Sequence, residues 1–280
     1  MIAFPNAKIN LGLNVVNRRA DGYHDIETVM LPIGWCDILE ITSAAQNPDG
    51  FPALHTSGHA VDCEPEKNLV VKALRVMERH TGRTLGVETY LHKNIPDGAG
   101  LGGGSADAAF MLRLLNSEFN LEMKPDELER IAETIGSDCP FFIRNTPALA
   151  TGRGEVLTPI ETPLKGWHVV VVKPQVKIST AQAYGAISPR RPAVPLAHAI
   201  ARPVDEWRHT VVNDFEAVAF SFHPWLADLK QRFYAAGAEY ASMSGSGSAF
   251  YGLFKPGTDK MTERHEEINR ENMLSYSGQL

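Results

Sequence analysis

Apolar and polar residues alternate through the first strand-like segment of the chain. Apolar residues occupy every second position from 7 to 15. The positions between them hold Lys8, Asn10, Gly12 and Asn14. This period of two is typical of a β-strand that carries one polar face. A turn centred on Asp21-Gly22 follows and separates this strand from the next apolar run. The start of the chain therefore predicts an antiparallel β unit.

Helical and strand patterns then follow one another to the C-terminus. Asn68 predicts the N-cap of a helix over 69–80 that ends near Gly82, and Pro125 opens a helix that stops at Gly136. The proline-rich segment 188–203 predicts a long loop. The remaining predicted helices cover 105–116, 181–187, 224–236 and 259–272, and the remaining predicted strands cover 26–33, 37–42, 86–92, 148–151, 156–159, 167–172 and 249–254. This mixture predicts an α+β protein.

A cluster of glycines separates a predicted strand from a predicted helix. Five of the seven residues from Gly98 to Gly104 are glycine. Glycine lets the backbone approach a ligand closely, and the start of a helix adds unpaired N–H donors and partial positive charge. The cluster therefore predicts a phosphate site. A flexible linker is the alternative, but linkers are rarely flanked by an apolar strand and an apolar helix.

This glycine cluster differs from two common phosphate motifs. No lysine follows the glycines, which excludes the Walker pattern. Gly98, Gly100 and Gly103 fit the dinucleotide fingerprint, but the strand over 87–91 ends too early, and a helix follows where that fold needs a strand. A dinucleotide-dependent oxidoreductase is therefore disfavoured.

Length, charge and cysteine usage limit the classes of protein further. With 280 residues the chain predicts about two domains, placed at 1–158 and 159–280. The net charge of −6 offers no basic field for nucleic acid. Three widely spaced cysteines predict reduced thiols and a cytoplasmic setting. Because no apolar run reaches 18 residues and no basic-apolar leader opens the chain, neither a spanning helix nor a signal peptide is expected.

The segment from Pro96 to Ala108 resembles the phosphate loop of the GHMP kinases, which include galactokinase, homoserine kinase and mevalonate kinase. The resemblance continues at the start of the chain and in a second glycine segment over 244–248. It implies a two-lobe α+β fold, with an N-terminal lobe like ribosomal protein S5 domain 2, a ferredoxin-like C-terminal lobe and the active site between them. The residues it places at the ATP phosphates are Pro96, Gly98, Ala99, Gly100, Leu101, Gly102, Gly103, Gly104, Ser105 and Ala106.

The same resemblance implies a catalytic pair. Asp138 lies in a Gly-Ser-Asp-Cys-Pro-Phe-Phe run that precedes a strand-like apolar segment. By propensity alone it is a turn or N-cap residue, whereas the resemblance makes it the catalytic carboxylate. Lys8 is implied close to it, holding the carboxylate ionised. Whether Asp138 removes the acceptor proton or orients the hydroxyl stays open at this point.

Within the family, the motifs are most similar to a member that phosphorylates a cytidine diphosphate sugar alcohol for isoprenoid precursor synthesis. The resemblance implies ATP, Mg²⁺ carried with ATP, small-molecule partners only, and a monomer or homodimer. It places Asn68, Leu69 and Lys93 on the adenine side. It places at the acceptor substrate Asn10, Tyr23, His24, Thr180, Tyr184, Gly245, Ser246 and Gly247.

Three other hypotheses remain. A GHMP kinase of the mevalonate or homoserine type would not need the Tyr23-His24 pocket, and a non-catalytic nucleotide-binding module would not need both Lys8 and Asp138. His55, His59 and Cys63 have a spacing that suits zinc on a helix. Thr56-Ser57-Gly58 predicts a turn there instead, so no protein metal site is predicted. Asn213-Asp214-Phe215-Glu216, another family sequence, is predicted to be mainly structural.

Overall fold

The computed structural model describes residues 1–44, 53–61, 63–271 and 273–280. Asn272, the end of the last predicted helix, lies outside the described residues. The strands are β1 (Ile2–Ala3), β2 (Asn6–Arg18), β3 (His24–Cys36), β4 (Ile38–Ser43), β5 (Ala53–Gly58), β6 (Val87–Lys93), β7 (Ala148–Thr151), β8 (Val156–Pro159), β9 (His168–Lys173), β10 (Tyr240–Met243), β11 (Phe250–Phe254) and β12 (Leu274–Gln279). The helices are α1 (Leu69–Thr81), α2 (Gly103–Glu118), α3 (Pro125–Glu133), α4 (Phe141–Arg144), α5 (Thr180–Ala186), α6 (Leu196–Ile200), α7 (Trp207–Thr210), α8 (Phe215–Phe222), α9 (Trp225–Ala235) and α10 (Met261–Ile268), with short 3₁₀ turns at Pro65–Lys67 and Val204–Glu206.

Packing groups these elements into two compact units, each assembled from separated stretches of chain. The first unit comprises Met1–Ala7, Trp35–Asp97 and Gly102–Thr146, and the second comprises Lys8–Gly34, Gly98–Leu101 and Pro147–Leu280. A single boundary between 1–158 and 159–280 stays a prediction about family domains. Packing follows a different division because the early strand segment 8–34 shares its core with the C-terminal half.

In the first unit, helices cover a four-stranded sheet of order β1-β4-β6-β5. β5 runs parallel to β6, and the other pairs are antiparallel. The long helices α1 and α2 pack on each other, and α3 and α4 pack against α2. α1 begins as its sequence predicts, because the Asn68 side chain accepts a hydrogen bond from the Val70 N–H at 2.9 Å. It ends at Gly82, which adopts a left-handed φ of 63°.

The second unit contains two four-stranded sheets. One has the order β10-β11-β9-β12 and is antiparallel throughout, and the other has the order β2-β3-β7-β8. α8 and α9 pack on β10, so the buried side chains of Val170, Phe233 and Phe250 join Leu13 of β2 in one core cluster. β7 and β8 form a short antiparallel hairpin at the predicted positions. The α+β class is confirmed.

Two segments differ from the conformations that their sequences predict. The apolar run after Asp138 is the short helix α4 rather than a strand, because Pro140 already has helical angles and the buried pair Phe141-Phe142 packs against α2. The turn predicted at Thr56-Ser57-Gly58 is wrong: these residues belong to β5, where they pair with β6.

Two loops also differ from prediction. The loop predicted over 188–203 contains α6, whose residues Leu196, Ala199 and Ile200 are buried. The second glycine segment joins the paired strands β10 and β11, rather than a helix and a strand. Across the described ranges, no helix is long and apolar enough to cross a bilayer.

Candidate active site

The glycine loop between β6 and α2 has the backbone that an anion site requires. Gly98, Gly100 and Gly102 adopt left-handed φ angles of 61°, 76° and 73°. α2 starts at Gly103, two residues before its predicted start, with Gly102 as its N-cap. The N–H groups of its first turn have no partner one turn earlier in the helix, so they and the positive end of the helix dipole can serve an anion.

The second glycine segment packs directly against the loop residues of its own unit. The Ser244 hydroxyl donates to the Gly100 carbonyl at 2.8 Å, and the Ala249 N–H donates to the Ala99 carbonyl at 3.1 Å. A Cβ on Gly245 would lie 3.1 Å from the Gly100 Cα. The Asn213 side chain holds the second glycine segment in place by donating hydrogen bonds to the carbonyls of Met243 and Gly245. The two glycine motifs are therefore adjacent, and Asn213 has the structural role predicted for its segment.

Replacement of Gly100 by alanine is expected to lower stability by at least about 2 kcal/mol beyond a matched control and to weaken ATP binding. A Cβ at Gly100 would lie 2.1 Å from the Ser244 carbonyl oxygen, so the backbone would have to move. Gly257→Ala is the control, because Gly257 has the same φ of +76° but nothing within 4 Å of its Cβ position. Urea denaturation and titration with a non-hydrolysable ATP analogue measure both effects. Equal behaviour of the two variants would contradict the prediction.

Lys8 and Asn10 form the polar face of β2, and this face is buried rather than solvated. Lys8 is 3% exposed, and its ammonium donates to the Asn10 carboxamide at 2.6 Å and to the Gly100 carbonyl at 3.0 Å. The Asn10 amide donates in turn to the Thr28 hydroxyl at 3.0 Å. Lys8 is therefore fixed under the glycine loop, with its positive charge against the loop backbone.

Asp138 lies in the turn that joins α3 to α4 in the first unit, and it is half-buried. The turn is held by the Cys139 N–H, which donates to the Gly136 carbonyl at 3.1 Å. Burial raises the pKa of the Cys139 thiol to about 12, so this neighbour stays protonated at neutral pH. The pairing of Asp138 with Lys8 stays a prediction.

A buried ion cluster that the sequence analysis did not identify lies in the first unit, where β6 ends and α2 begins. The Lys93 ammonium donates to the Asp37 carboxylate and, at 2.6 Å, to the Asp107 carboxylate. Asp37 also accepts the N–H groups of Asn94 and Ile95 at 2.6 and 2.8 Å. The cluster thus ties the end of β6 to the second turn of α2. In the sequence, Asp37 is a single acidic residue between two apolar strands, and this isolation is the signal that could have indicated a buried carboxylate.

The cluster contains two carboxyl groups but one ammonium, so one carboxyl lacks a counterion. Burial raises the pKa of Asp107 to about 7, and the Asp37 carboxylate adds to this while Lys93 opposes it. Burial lowers the pKa of Lys93, but the attraction of both carboxylates outweighs it and the net shift is upward. Asp107 Oδ1 has no hydrogen-bond partner in the described ranges. Lys93 is thus engaged inside the first unit, and its place beside adenine stays a prediction.

The raised pKa of Asp107 predicts a pH dependence of stability. Between about pH 4 and pH 7 the folded chain keeps a proton on Asp107 that the unfolded chain releases. The contribution of this proton to the free energy of unfolding is therefore fully present below about pH 4 and is lost as the pH rises to about 7. Asp107→Asn, which cannot titrate, is expected to lose less stability than the wild type over that interval. Urea midpoints at pH 4.5, 6 and 7.5 measure the difference. Parallel pH profiles would contradict the assignment.

The other two residues predicted beside adenine lie at the start of α1. The Asn68 carboxamide is occupied as the N-cap of the helix. Leu69 is half-buried, and its Cδ1 lies 3.7 Å from the position that a Cβ on Gly104 would take. Leu69 therefore lies next to the start of α2. Of the three residues predicted on the adenine side, it is the one that offers an apolar side chain there.

The residues predicted at the acceptor substrate lie together in the second unit. The His24 ring stacks on the Tyr184 ring with centroids 5.1 Å apart and an angle of 26° between the planes. The two rings thus contact each other directly, and the place of Tyr184 across a base stays a prediction. Tyr23 is 58% exposed, with the Arg153 guanidinium over its ring. The Thr180 hydroxyl lies 3.0 Å from the Ser246 hydroxyl and links α5 to the second glycine segment.

The zinc hypothesis finds no support in the geometry. His55 lies on strand β5, where its Nε2 meets Glu88 at 2.8 Å and its ring stacks on Tyr90. Among the residues that the structure describes, no group of three or more His, Cys, Asp or Glu side chains could hold a metal ion.

Comparison with known proteins identifies relatives along nearly the whole chain. Family models for the GHMP kinases N terminal domain and the GHMP kinases C terminal domain match residues 68–146 and 197–266. The 4-diphosphocytidyl-2-C-methyl-D-erythritol kinase of Parabacteroides distasonis is 48% identical over 280 residues, covering 100% of both chains. The enzyme of the same name from Bacteroides thetaiotaomicron is 48% identical over 256 residues, covering 91% of this chain and 93% of that one.

Solved structures show the same fold. A crystal structure of 4-(cytidine 5'-diphospho)-2C-methyl-D-erythritol kinase superposes with a TM-score of 0.83 at 34% identity, covering 99% of this chain and 98% of that one. A homoserine kinase from Cytophaga hutchinsonii superposes with a TM-score of 0.68 at 17% identity, covering 98% and 93%. The second likeness concerns the fold alone.

Proposed function

Because the chain belongs to the GHMP kinases and, within them, to the 4-diphosphocytidyl-2-C-methyl-D-erythritol kinases, we propose that it transfers the γ-phosphoryl group of ATP to the 2-hydroxyl of 4-diphosphocytidyl-2-C-methyl-D-erythritol. The products would be the 2-phosphate and ADP. The observation that carries this proposal is the buried Lys8 ammonium at the Gly100 carbonyl, which puts a fixed cation beside a backbone suited to phosphate. The methylerythritol phosphate route, a cytoplasmic location and a monomeric or homodimeric state belong to the same proposal.

Phosphoryl transfer needs positioning and charge neutralisation more than covalent help. The glycine loop and the first turn of α2 would bind the phosphates through backbone N–H groups, since left-handed glycines leave that backbone open. Lys8 would neutralise charge that develops near the transferred group. Asp138 would orient the acceptor hydroxyl and accept its proton as the bond to phosphorus forms.

Magnesium would enter with ATP and neutralise its phosphates. The described residues offer no multidentate protein site for it, so phosphate oxygens and water would supply most of its ligands.

The cytosine base would be recognised in the second unit. The stacked pair of His24 and Tyr184 offers an aromatic face, and Tyr23 stands exposed in the turn just before His24. A base would stack on the outer face of this pair or separate its rings. The Thr180–Ser246 contact lies beside the second glycine segment, where the diphosphate of the acceptor would meet backbone N–H groups.

A coupled ADP-release assay tests the substrate. Activity is expected with the cytidyl substrate and not with mevalonate or homoserine, and activity with those acceptors alone would overturn the proposal. ADP release independent of any acceptor would point to a nucleotide-binding module instead. His24→Ala is expected to raise KM for the cytidyl substrate about 5- to 160-fold, because stacking on a base contributes about 1–3 kcal/mol. His198→Ala, an exposed histidine in α6, should leave KM unchanged.

A further inference from the structure

We propose that the second unit carries another ligand site, separate from both glycine segments, that takes a small phosphorylated polyol such as a sugar phosphate. The site is a cavity of about 480 Å³ between β2, the segment 190–194 and the segment 209–214. That volume falls in the range of small-molecule sites. Its polar lining consists of Asn14, Asp214, Arg190, Arg191, His209 and Thr210.

Asn14 lies on the floor of this cavity, where it is 4% exposed. Its carboxamide atoms are open to the cavity rather than enclosed by protein, because the enclosed side-chain atoms without a partner among the described residues are Asp107 Oδ1 and His265 Nε2. Because Asn14 lines the cavity, a ligand there could supply both a donor and an acceptor to it.

Asp214 provides a second polar group on the floor. Its Oδ2 accepts the Val15 N–H at 2.8 Å, which fixes the carboxylate beside β2. Its Oδ1 accepts no hydrogen bond from the part of the chain that the structure describes. A carboxylate and a carboxamide side by side are suited to the hydroxyl groups of a polyol, since hydroxyls both donate and accept.

The rim of the cavity carries the positive charge that a phosphate needs. Arg190 and Arg191 are exposed. Burial raises the pKa of the Asp214 carboxyl, and the nearby Arg190 guanidinium acts in the opposite direction. The Arg190 N–H bonds the Val15 carbonyl at 2.9 Å, which anchors the arginine pair next to the strand that bears Asn14. Guanidinium groups bind phosphate through two parallel N–H donors. The two arginines carry one positive charge more than the Asp214 carboxylate balances, so the cavity favours a phosphate ester.

This site does not overlap the residues assigned to catalysis. Asn14 is on β2, which also bears Lys8 and Asn10, but neither Lys8 nor Asn10 lines the cavity. Asp214 directly follows Asn213, which holds the second glycine segment. A bound ligand would therefore contact the neighbours of catalytic and supporting residues while leaving the glycine loop open.

Calorimetric titration of the full chain with ribose 5-phosphate tests the site. Saturating adenylyl imidodiphosphate is present throughout, so that the glycine loop is filled. We expect one site per chain, and ribose 5-phosphate should bind at least about tenfold more tightly than inorganic phosphate because only it has hydroxyls for Asn14 and Asp214. The result does not depend on the proposed acceptor, so a failure here leaves the kinase assay unaffected.

Variants separate this cavity from general anion binding. The double variant Arg190→Ala/Arg191→Ala should weaken binding at least about tenfold, and Asn14→Ala should weaken it about fivefold. Arg202→Ala/Arg270→Ala removes the same charge from exposed positions elsewhere in the unit and should change affinity less than about twofold. The absence of binding in the wild type, equal binding of inorganic phosphate, or unchanged affinity in the Arg190/Arg191 variant would each overturn the proposal.

Discussion

Replacement of Asp138 by asparagine is expected to reduce kcat by about 10³-fold while the affinity for ATP changes little. Asparagine has nearly the same shape as aspartate, but it carries no charge and cannot accept the proton of the acceptor hydroxyl. Because Asp138 is half-buried in a hydrogen-bonded turn between two helices, the substitution should leave the local backbone in place.

Steady-state kinetics with the cytidyl substrate and titration with a non-hydrolysable ATP analogue measure the two quantities separately. Asp126→Asn is the matched control, since Asp126 lies in the first turn of α3 with its side chain 79% exposed. Its surface ion pair with Arg144 contributes at most about 1 kcal/mol. A kcat for Asp138→Asn within about threefold of the wild type would remove Asp138 from the mechanism.

Replacement of Lys93 by methionine is expected to destabilise the chain by about 3–5 kcal/mol. Lys93 lies between the buried carboxylates of Asp37 and Asp107. Without its ammonium the buried Asp37 carboxylate would lose its counterion, and Asp107, whose pKa burial raises and Lys93 holds down, would take up a proton. Uncompensated buried charge is far more unfavourable than the loss of a surface ion pair. The expected damage centres on the glycine loop, because Asp37 also holds the N–H groups of Asn94 and Ile95.

Urea denaturation measures this loss, with Lys72→Met on the exposed face of α1 as the control. A second change distinguishes charge from packing. In the background of Lys93→Met, Asp107→Leu removes a buried carboxyl that has lost its Lys93 partner and should recover part of the lost stability. If Lys93→Met were no less stable than Lys72→Met, the buried cluster would not contribute to the fold.

Elements with local sequence signals were predicted from the sequence, and elements formed through distant pairing were not. α1 has its cap in Asn68 and its stop in Gly82, and both signals act within a turn of the helix. β5 has no such signal, because it exists through parallel pairing with β6, some 30 residues later. α4 shows the opposite failure: its four residues are too few to display a helical period, so two phenylalanines resembled a strand.

The candidate site follows the same rule. The glycine loop could be found because its composition alone restricts its backbone. Lys8 could be singled out, but alternation along β2 could not say that the polar face is buried against the Gly100 carbonyl. The Asp37–Lys93–Asp107 cluster brings together three segments that no spacing rule connects. The contact between Ser244 and Gly100 likewise joins residues 144 positions apart.

The interleaving of the two units along the chain has a consequence during synthesis. Residues 8–34 leave the ribosome well before much of the apolar core that they share, which runs from Val170 to Met273. At about 5–20 residues per second, these strands wait roughly 10 to 50 s before their partners exist. Such long-range closure is slow and exposes apolar strands to aggregation. Nascent chains should therefore depend on chaperones until the segment from Val170 to Met273 has been made.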